Sequence, residues 1–253
     1  MHYYFRQVGD INYLVFKSLS VPDMFHGVFS RRGGVSPAPF DSLNVGLGVG
    51  DAESNVRENH TRIKEILDTR ILVSARQVHG NRVFVLKGRP SYDLEVDGYD
   101  ALVTDARGAG LMVKQADCQA VLLFDPARPA VGIVHSGWRG SANNVIRAAI
   151  EAMTDVYGTN PADLKAALSP SLGPCCAEFV GFRDELPSYM HSYQVRPDYF
   201  DFWEISFDQL RNAGVGKERI FSSRLCTTCN DDYFSYRRDK TTGRFATVIG
   251  LRE

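Results

Sequence analysis

The sequence predicts one domain of the α+β or layered α/β class. Apolar runs of strand length recur along the whole chain, several are continuous rather than alternating, and only a few helical patterns lie between them. Continuous apolar runs indicate strands covered on both faces. Several strands follow one another without a helix, and no Gly-x-Gly-x-x-Gly turn follows a strand, which argues against a Rossmann fold. No repeat or linker divides the 253 residues, so we expect a single domain over residues 1–253.

The individual elements follow from apolar periodicity. Helical periods predict helices over residues 56–67, 145–156 and 202–213. The expected caps are Asp51 or Ser54 for the first helix, Ser141 and Gly158 for the second, and Gly214 for the third. The predicted strands cover residues 11–16, 71–74, 83–86, 111–113, 121–124, 131–135, 166–168 and 247–251.

Charge and composition exclude several classes of protein. The 29 Lys and Arg residues balance 30 Asp and Glu residues, so the basic excess that is typical of nucleic-acid-binding proteins is missing. The longest apolar runs are too short to span a bilayer, and the start has no pattern of a secretory signal. We therefore expect a cytoplasmic protein with no nucleic-acid or membrane partner. Its five cysteines are then reduced thiols, metal ligands or a nucleophile rather than a disulfide framework.

Three turn segments between apolar runs carry reactive side chains. They cover residues 77–80, 116–118 and 135–140, and they contribute His79, Cys118 and His135. Two imidazoles and one thiolate suit Zn²⁺, and three protein ligands with an open fourth position are typical of catalytic zinc sites. The spacings match no short metal-binding signature, so structural histidines and a small buried cysteine are the alternative interpretation.

The segment after His135 also predicts an anion site. A helix that begins near Ser141 would present free N–H groups, and Arg139 would add a bidentate donor. A metal ion beside an anion site would suit a reaction that uses phosphate. A plain helix cap with a surface arginine is the alternative.

The remaining cysteines form two close pairs. Cys175 and Cys176 are adjacent, and Cys226 and Cys229 form a Cys-x-x-Cys pair. Four sulfurs could hold a structural zinc ion, but adjacent cysteines are awkward ligands, so free thiols are the favoured interpretation. The segment 233–239 mixes aromatic residues with arginines, which is typical of base-stacking surfaces. A hairpin with solvated arginines is the alternative for this segment.

In these segments the chain resembles the YfiH-like family, also called polyphenol oxidase or laccase-domain proteins and zinc-dependent purine nucleoside phosphorylases. The resemblance covers nearly the whole chain. The motifs that carry it lie at residues 26–36, 42–46, 77–80, 100–104, 116–118, 135–140, 173–176, 226–227, 234–239 and 242–244.

The resemblance implies a layered α/β/β/α sandwich with mixed sheets. It also implies that His79, Cys118 and His135 bind Zn²⁺ and form the catalytic centre. The implied substrates are phosphate and the nucleosides adenosine, inosine, guanosine and methylthioadenosine. Adenosine deamination is a further implied activity. It would need a carboxylate to transfer protons, and Asp117 is the nearest carboxylate in sequence to the ligand Cys118. The candidate substrate contacts are Arg31, Asn44 and Gln77 by motif membership, and Arg139 and Ser141 for phosphate.

Three alternatives stay open on the sequence alone. A copper-dependent polyphenol oxidase would use the same two histidines and cysteine, because copper competes well for such ligands. A metal-free cysteine hydrolase would use Cys118 as nucleophile with a histidine base. A non-catalytic module would bind nucleosides without turnover. Gln119 and Ser136 depart from the family pattern beside the ligands, so they bear on substrate preference.

Overall fold

Two mixed β-sheets pack face to face in the computed structural model, which describes residues 2–253. The seven-stranded sheet has the order β1-β2-β3-β15-β8-β4-β6, and the six-stranded sheet has the order β14-β11-β9-β10-β7-β5. The strands are β1 Tyr3–Val8, β2 Ile11–Phe16, β3 Met24–Phe29, β4 Ile71–Arg76, β5 Val83–Leu86, β6 Leu94–Asp97, β7 Ala101–Thr104, β8 Ala109–Gln115, β9 Gln119–Asp125, β10 Ala130–Ser136, β11 Lys165–Leu168, β12 Gln194–Arg196, β13 Tyr199–Phe200, β14 Ile220–Ser222 and β15 Phe245–Leu251.

Three of the six helices cover the outer faces of the two sheets. They are α1 Glu53–Leu67, α2 Trp138–Ala142, α3 Val145–Tyr157, α4 Phe182–Glu185, α5 Phe202–Asn212 and α6 Tyr236–Asp239. Helix α1 packs Ile63 against the seven-stranded sheet, whereas α3 and α5 pack Ile150 and Leu210 against the six-stranded sheet. Between the sheets, side chains such as Leu111 and Leu122 form the central core. The predicted α/β/β/α layering is therefore confirmed.

The continuous apolar runs predicted strands well. All eight predicted strands are present, because strands that are covered on both faces are apolar at every position. Several strands were not predicted because they lack a continuous apolar run. Strand β1 lies at the sheet edge with residues 5–8 exposed, and Arg6 and Gln7 interrupt its apolar residues. Strand β6 is short and alternates half-buried with exposed residues. None of the helices in residues 2–253 is long and apolar enough to cross a membrane.

The predicted helix caps were partly wrong. Gly158, with φ of 67°, ends α3 as predicted, and Gly214 follows α5. Ser141 does not cap α3, because a separate short helix α2 holds Ser141 and the cap of α3 is Asn144, whose side chain accepts from the Arg147 N–H. The cap of α1 is Ala52 rather than Asp51 or Ser54.

A buried histidine joins β2 to β3. His26 is 5% exposed, and its Nε2 accepts a hydrogen bond of 2.9 Å from the Phe16 N–H. Burial, together with the nearby Arg6 charge, lowers the pKa of His26 to about 4. The folded protein therefore holds this imidazole neutral at pH values where an unfolded chain protonates it.

The His26 pKa predicts a specific acid destabilisation. Below pH 6.5 the unfolded state binds the proton first, so the unfolding free energy falls until the pH approaches 4. From pH 7.5 to 5.5 the loss from this residue is about 1.4 kcal/mol. Urea unfolding at both pH values should show a smaller loss for His26→Gln than for the wild type. His2→Gln, at an exposed position, is the matched control, and equal losses in all three proteins would contradict the assignment.

Candidate metal centre and cavity

Three side chains from separate turns converge at one end of the sheets. His79 lies in the loop between β4 and β5, Cys118 lies in the turn before β9, and His135 lies near the end of β10. Their donor atoms all lie within 4.8 Å of one another, and the two imidazole centroids are 4.9 Å apart. The three residues singled out from the sequence are therefore brought together.

One buried carboxylate positions both histidines. Asp100 Oδ1 accepts from the His79 N–H and from His135 Nδ1, both at 2.9 Å, and Oδ2 accepts from the N–H groups of Val78 and Gly80 at 3.2 and 2.7 Å. Burial alone would raise the pKa of Asp100, but these hydrogen bonds outweigh it and lower the pKa. The bond to Nδ1 leaves Nε2 of His135 available, which is a common arrangement for metal-bound histidines.

The carboxylate of Asp100 also supports an unusual backbone conformation. His79 has φ of 60°, a left-handed value that non-glycine residues rarely adopt. Three successive N–H groups that point at one carboxylate offset the cost of this turn. The turn thereby directs the His79 ring toward Cys118 and His135.

Cys118 is positioned by a second aspartate. Asp117 has φ of 84°, and its carboxylate accepts from Thr227 Oγ1 at 2.7 Å and from the Arg237 N–H at 2.6 Å. The Leu172 N–H donates to the Asp117 carbonyl at 2.8 Å. Three distant chain segments therefore fix the turn that presents the cysteine.

Cys118 and His135 have opposite pKa shifts. Burial opposes ionisation of the thiol, but His135 and His79 outweigh it and lower the pKa of Cys118 to about 6. Burial also opposes the imidazolium, yet Cys118 and Asp100 raise the pKa of His135 to about 9. Near neutral pH the metal-free pair therefore favours thiolate with imidazolium, and metal binding would release a proton from His135.

The donor set fits a tetrahedral metal ion. Cysteine sulfur and imidazole nitrogen are the donors that Zn²⁺ prefers, and three of them leave one position open. Gly137 passes so close to the cluster that an added Cβ would lie 2.6 Å from His79 Nδ1 and 3.0 Å from Cys118 Sγ. A side chain at residue 137 would therefore displace two of the three donors.

The cluster lies in the wall of a cavity of about 1180 Å³. Aromatic, cationic and acidic side chains share its lining. The aromatic residues are Trp138, Phe179, Phe202 and Tyr236, the cationic ones are Arg76, Lys114, Arg237, Lys240 and Arg244, and the acidic ones are Glu95, Asp117 and Glu178. The cavity is large enough for a small molecule with both an aromatic and an anionic part.

Three buried polar side chains in the cavity wall lack protein partners. Gln119, Ser136 and Ser141 are 4%, 7% and 2% exposed, and their side-chain oxygen and nitrogen atoms have no hydrogen-bond partner among residues 2–253. Gln119 and Ser136 are direct cross-strand partners on β9 and β10. Because unsatisfied buried polar groups are costly, these atoms are available to a polar ligand or to water.

The predicted substrate contacts divide into two groups. Gln77 and Ser141 line the cavity, whereas Arg31, Asn44 and Arg139 are not among the lining residues. Arg139 lies over the Trp138 ring at 4.1 Å, and Arg31 pairs with Asp41 at 3.1 Å. For all five residues, Arg31, Asn44, Gln77, Arg139 and Ser141, the role of substrate contact stays a prediction.

Asn44 does not line the cavity but binds two residues that do, Gly46 and Arg244. Its Oδ1 accepts from the Arg244 N–H at 2.8 Å and from the Gly46 N–H at 2.9 Å. It therefore holds together two segments that both line the cavity.

Residues 233–239 do not form the hairpin with solvated arginines that was the alternative for this segment. They include the short helix α6, and Arg238 donates to the carbonyls of Thr227, Thr228 and Tyr233. Arg237 and Tyr236 line the cavity. The Arg237 N–H donates to Asp117, 120 positions away, and the Arg237 side chain donates to the Cys176 and Glu178 carbonyls. No local sequence pattern signals these long-range contacts.

Asp100 is the main positioning residue that sequence reasoning did not assign. It belonged to a recognised motif, 100–104, but nothing in that motif indicates that its carboxylate faces the loop at residues 77–80. The pairing of β7 with β5 brings Asp100 to this loop, and the pairing of β7 with β10 in the same sheet brings it to His135.

The fold and the cluster define a class of protein: a four-layer α/β protein with a two-histidine, one-cysteine centre in the wall of a large cavity. The chain belongs to the family described as multi-copper polyphenol oxidoreductase laccase, whose model matches residues 25–252. This is the YfiH-like family that the sequence motifs indicated. The laccase-like family and the cysteine–histidine cluster together suggest metal binding.

Named relatives and a solved structure are similar over nearly the whole chain. The Bacillus subtilis protein named purine nucleoside phosphorylase YlmD is 30% identical over 252 residues, which cover 91% of this chain and 90% of the relative. The Escherichia coli protein named purine nucleoside phosphorylase YfiH is 35% identical over 232 residues, covering 88% and 91%. The crystal structure of YlmD from Geobacillus stearothermophilus superposes with a TM-score of 0.87 at 30% identity, covering 98% of this chain and 99% of that one.

The Asp100 contacts predict a loss of metal affinity in Asp100→Asn. The amide cannot accept all four hydrogen bonds, so His135 loses its fixed tautomer and N–H groups of the loop at residues 78–80 lose their acceptor. We expect Zn²⁺ affinity to fall roughly 10- to 100-fold, and the unfolding free energy to fall by about 1–3 kcal/mol. Chelator competition and urea unfolding measure the two effects.

Asp155→Asn, at an exposed position on α3, is the matched control and should change neither quantity. Unchanged Zn²⁺ affinity in Asp100→Asn would show that Asp100 does not position the ligands.

Proposed function

We propose that this protein is a zinc-dependent purine nucleoside phosphorylase. The observation that carries the proposal is the His79, Cys118 and His135 cluster in a cavity with both an aromatic wall and unpaired cations. The relatives named purine nucleoside phosphorylase support the same activity class. The substrates are purine nucleosides, namely adenosine, inosine, guanosine and methylthioadenosine, together with inorganic phosphate.

His79, Cys118 and His135 would hold the zinc ion. The low pKa of Cys118 provides the thiolate that metal binding requires, and Asp100 fixes the His135 ring. When bound, Zn²⁺ supplies a Lewis acid in the cavity wall. Because all three donor residues line the cavity, a metal ion that they hold would be accessible to substrate, as in a catalytic rather than a purely structural centre.

Three cations are suited to phosphate. Arg237, Lys240 and Arg244 line the cavity, and none has a carboxylate within ion-pair distance in the described part of the chain. Arg237 and Arg244 donate instead to backbone carbonyls, which holds their side chains in place. They would bind and orient phosphate for attack on the ribose C1′.

Aromatic and unpartnered polar groups are suited to the nucleoside. Trp138, Phe179 and Phe202 lie on one side of the cavity and offer stacking surfaces for a purine. Gln119, Ser136 and Ser141 have free donors and acceptors for the base or the sugar. In phosphorolysis the C1′–N bond breaks as the C1′–O bond forms, so ribose 1-phosphate and the purine base leave.

Adenosine deamination is a second proposed activity of the same site. It needs a carboxylate that transfers protons at adenine C6. Asp117 adjoins Cys118 and lines the cavity, but both of its carboxylate oxygens already accept hydrogen bonds, from Thr227 and Arg237. Phosphorolysis therefore fits the site better than deamination.

The Cys118 and His135 pair also favours a rival function. A thiolate beside an imidazolium is the reactive pair of cysteine hydrolases, so a metal-free hydrolase would use the same residues. A copper-dependent polyphenol oxidase would bind copper there instead. A binding module would hold nucleosides without turnover. Each makes a separate prediction for the assay that follows.

The proposal predicts phosphate-dependent products from adenosine. The purified zinc-loaded protein should release adenine and ribose 1-phosphate only when phosphate is present, as measured by chromatography. Inosine formed with or without phosphate would establish deamination. Zinc-loaded protein that binds adenosine but forms neither product would contradict both activities. Activity that survives chelation and is lost on thiol alkylation would indicate the hydrolase, and phenol oxidation that follows copper content would indicate the oxidase.

Substitution of one metal-ligating residue tests whether phosphorolysis needs the metal. His79→Ala should lose metal and lower phosphorolysis roughly 100-fold or more, because the site loses a ligand and its Lewis acid. His2→Ala, at an exposed position, should keep wild-type turnover. A folded His79→Ala protein that lacks metal yet keeps full activity would exclude a catalytic metal.

The unpartnered amide of Gln119 predicts separate effects on binding and stability. Gln119→Leu removes two buried polar atoms that have no protein partner, so the unfolding free energy should stay equal or rise. If the amide contacts the nucleoside, the KM for adenosine should rise about 10-fold. Steady-state kinetics and urea unfolding measure both. The exposed Gln194→Leu is the control, and an unchanged KM would remove Gln119 from the substrate contacts.

A further inference from the structure

Four cysteines form a second cluster, separate from the one that contains Cys118. Cys175, Cys176, Cys226 and Cys229 have sulfur atoms that all lie within 4.8 Å of one another. The Cys229 sulfur is 3.6 Å from that of Cys175 and 3.4 Å from that of Cys176. The two pairs are about fifty residues apart in sequence, so the fold creates this cluster.

The backbone around the cluster explains how two pairs meet. Ser171 and Cys226 form a bridge between two chain segments, and the Gly173 N–H donates to the Cys226 sulfur at 3.3 Å. A Cβ on Gly173 would lie 3.0 Å from Cys226 Cβ and 2.9 Å from the Trp203 ring. Glycine therefore permits the close approach of the two segments.

The turn that follows Gly173 makes adjacent cysteines usable as ligands. The N–H groups of Cys176 and Ala177 both donate to the Gly173 carbonyl, at 2.9 and 3.0 Å. This tight turn brings the sulfurs of Cys175 and Cys176 to the same partner, Cys229. The sequence favoured free thiols because adjacent cysteines rarely reach the same metal ion. The turn after Gly173 allows Cys175 and Cys176 to do so.

The sulfur spacing matches a metal site better than a disulfide. All four thiols are free, and a disulfide would need about 2.0 Å between two sulfurs. In a tetrahedral site with Zn–S bonds of about 2.3 Å, neighbouring sulfurs are about 3.8 Å apart. The distances of 3.4 and 3.6 Å lie close to that value.

Arginines surround the cluster. Arg196 donates to the Cys175 carbonyl at 2.9 Å, Arg237 to the Cys176 carbonyl at 3.2 Å, and Arg238 to the Thr227 carbonyl at 3.0 Å. A zinc ion with four thiolates carries a net charge of about −2. These guanidinium groups, from β12 and α6, donate to the loops that supply the thiolates and would offset part of this charge.

We propose that Cys175, Cys176, Cys226 and Cys229 bind a structural Zn²⁺ ion, distinct from the three-ligand centre. Four thiolates complete the tetrahedron, so this ion has no position for substrate. It joins the segment after β11 to the segment after β14. This proposal does not depend on the nucleoside phosphorylase activity.

The second site would also stabilise one wall of the cavity. Arg237 lines the cavity, donates its N–H to Asp117 and donates its side chain to the carbonyls of Cys176 and Glu178. Glu178 and Phe179, which follow the cysteine turn, also line the cavity. A metal at the four cysteines would therefore fix the cavity wall without contact to the substrate.

Metal content tests the proposal in the full-length protein. Wild type purified with zinc should contain two Zn²⁺ per chain, and His79→Ala should keep one. The double variant Cys226→Ser, Cys229→Ser should also keep one, at the three-ligand centre. If His79→Ala retains no zinc, the proposal is overturned, whatever the enzyme does with nucleosides.

Cobalt spectroscopy identifies the ligands. Co²⁺-loaded His79→Ala should show the intense thiolate-to-metal absorption of a four-sulfur tetrahedral site, and adding Cys118→Ala should leave that spectrum unchanged. A spectrum that disappears with Cys118→Ala would assign the bound metal to the other centre and overturn the proposal.

Thiol chemistry provides a measurement that needs no variant. In wild type, an organomercurial titration should release two Zn²⁺ ions, one as the four clustered thiols react and one as Cys118 reacts, and Cys175 and Cys229 are the exposed thiols. Release of a single Zn²⁺ after all five thiols have reacted would contradict the second site. A free-thiol count of three rather than five in denatured, unreduced protein would show a disulfide within the cluster and contradict the metal site.

Discussion

The candidate site depends on one buried carboxylate. Asp100 accepts hydrogen bonds from three successive backbone N–H groups of the loop at residues 78–80 and from His135 Nδ1, and its own carbonyl accepts from the His135 N–H. One side chain thus fixes the left-handed backbone of the first histidine and the tautomer of the second. Asp117 acts similarly on the Cys118 turn, with donors from two segments near the other end of the chain. Two aspartates therefore determine where the three residues of the candidate metal centre lie.

The cavity combines segments that no single layer of the fold could supply. The glycine-rich segment at residues 46–49 and Arg244 come from the seven-stranded side, whereas Phe202 and Ser206 belong to a helix that covers the six-stranded sheet. The cysteine cluster lies behind the wall that contains Phe179 and Arg237. Cationic and aromatic groups and the two-histidine, one-cysteine cluster consequently share one cavity while they belong to several elements of the fold. Gln119 and Ser136 directly follow Cys118 and His135, so two of the buried side chains without protein partners in the described residues lie beside the cluster.

The sequence predicted the fold class and the three residues that converge, but not the contacts that support them. Continuous apolar strands are visible locally, so the predicted strands such as 121–124 were confirmed, and the motifs around His79, Cys118 and His135 indicated a common site. Asp100, Asp117 and Arg237 act through contacts across tens of residues, which periodicity cannot reveal. Ser141 was wrongly predicted as the cap of α3 because the extra turn α2 has no separate apolar signal. The sequence favoured free thiols over a metal site at the four clustered cysteines, since spacing alone does not show that the turn after Gly173 aligns adjacent sulfurs.

The position of β15 has a consequence for the order in which the molecule can be assembled. Within the seven-stranded sheet, β1, β2 and β3 join β8, β4 and β6 only through β15, which pairs with β3 on one side and β8 on the other. During synthesis the two halves of that sheet therefore have no strand pairing to each other until residues 245–251 have emerged from the ribosome. The donors from Thr227 and Arg237 to the Asp117 turn arrive almost as late. The nascent chain thus contains His79, Cys118 and His135 well before the contacts that complete their geometry can form.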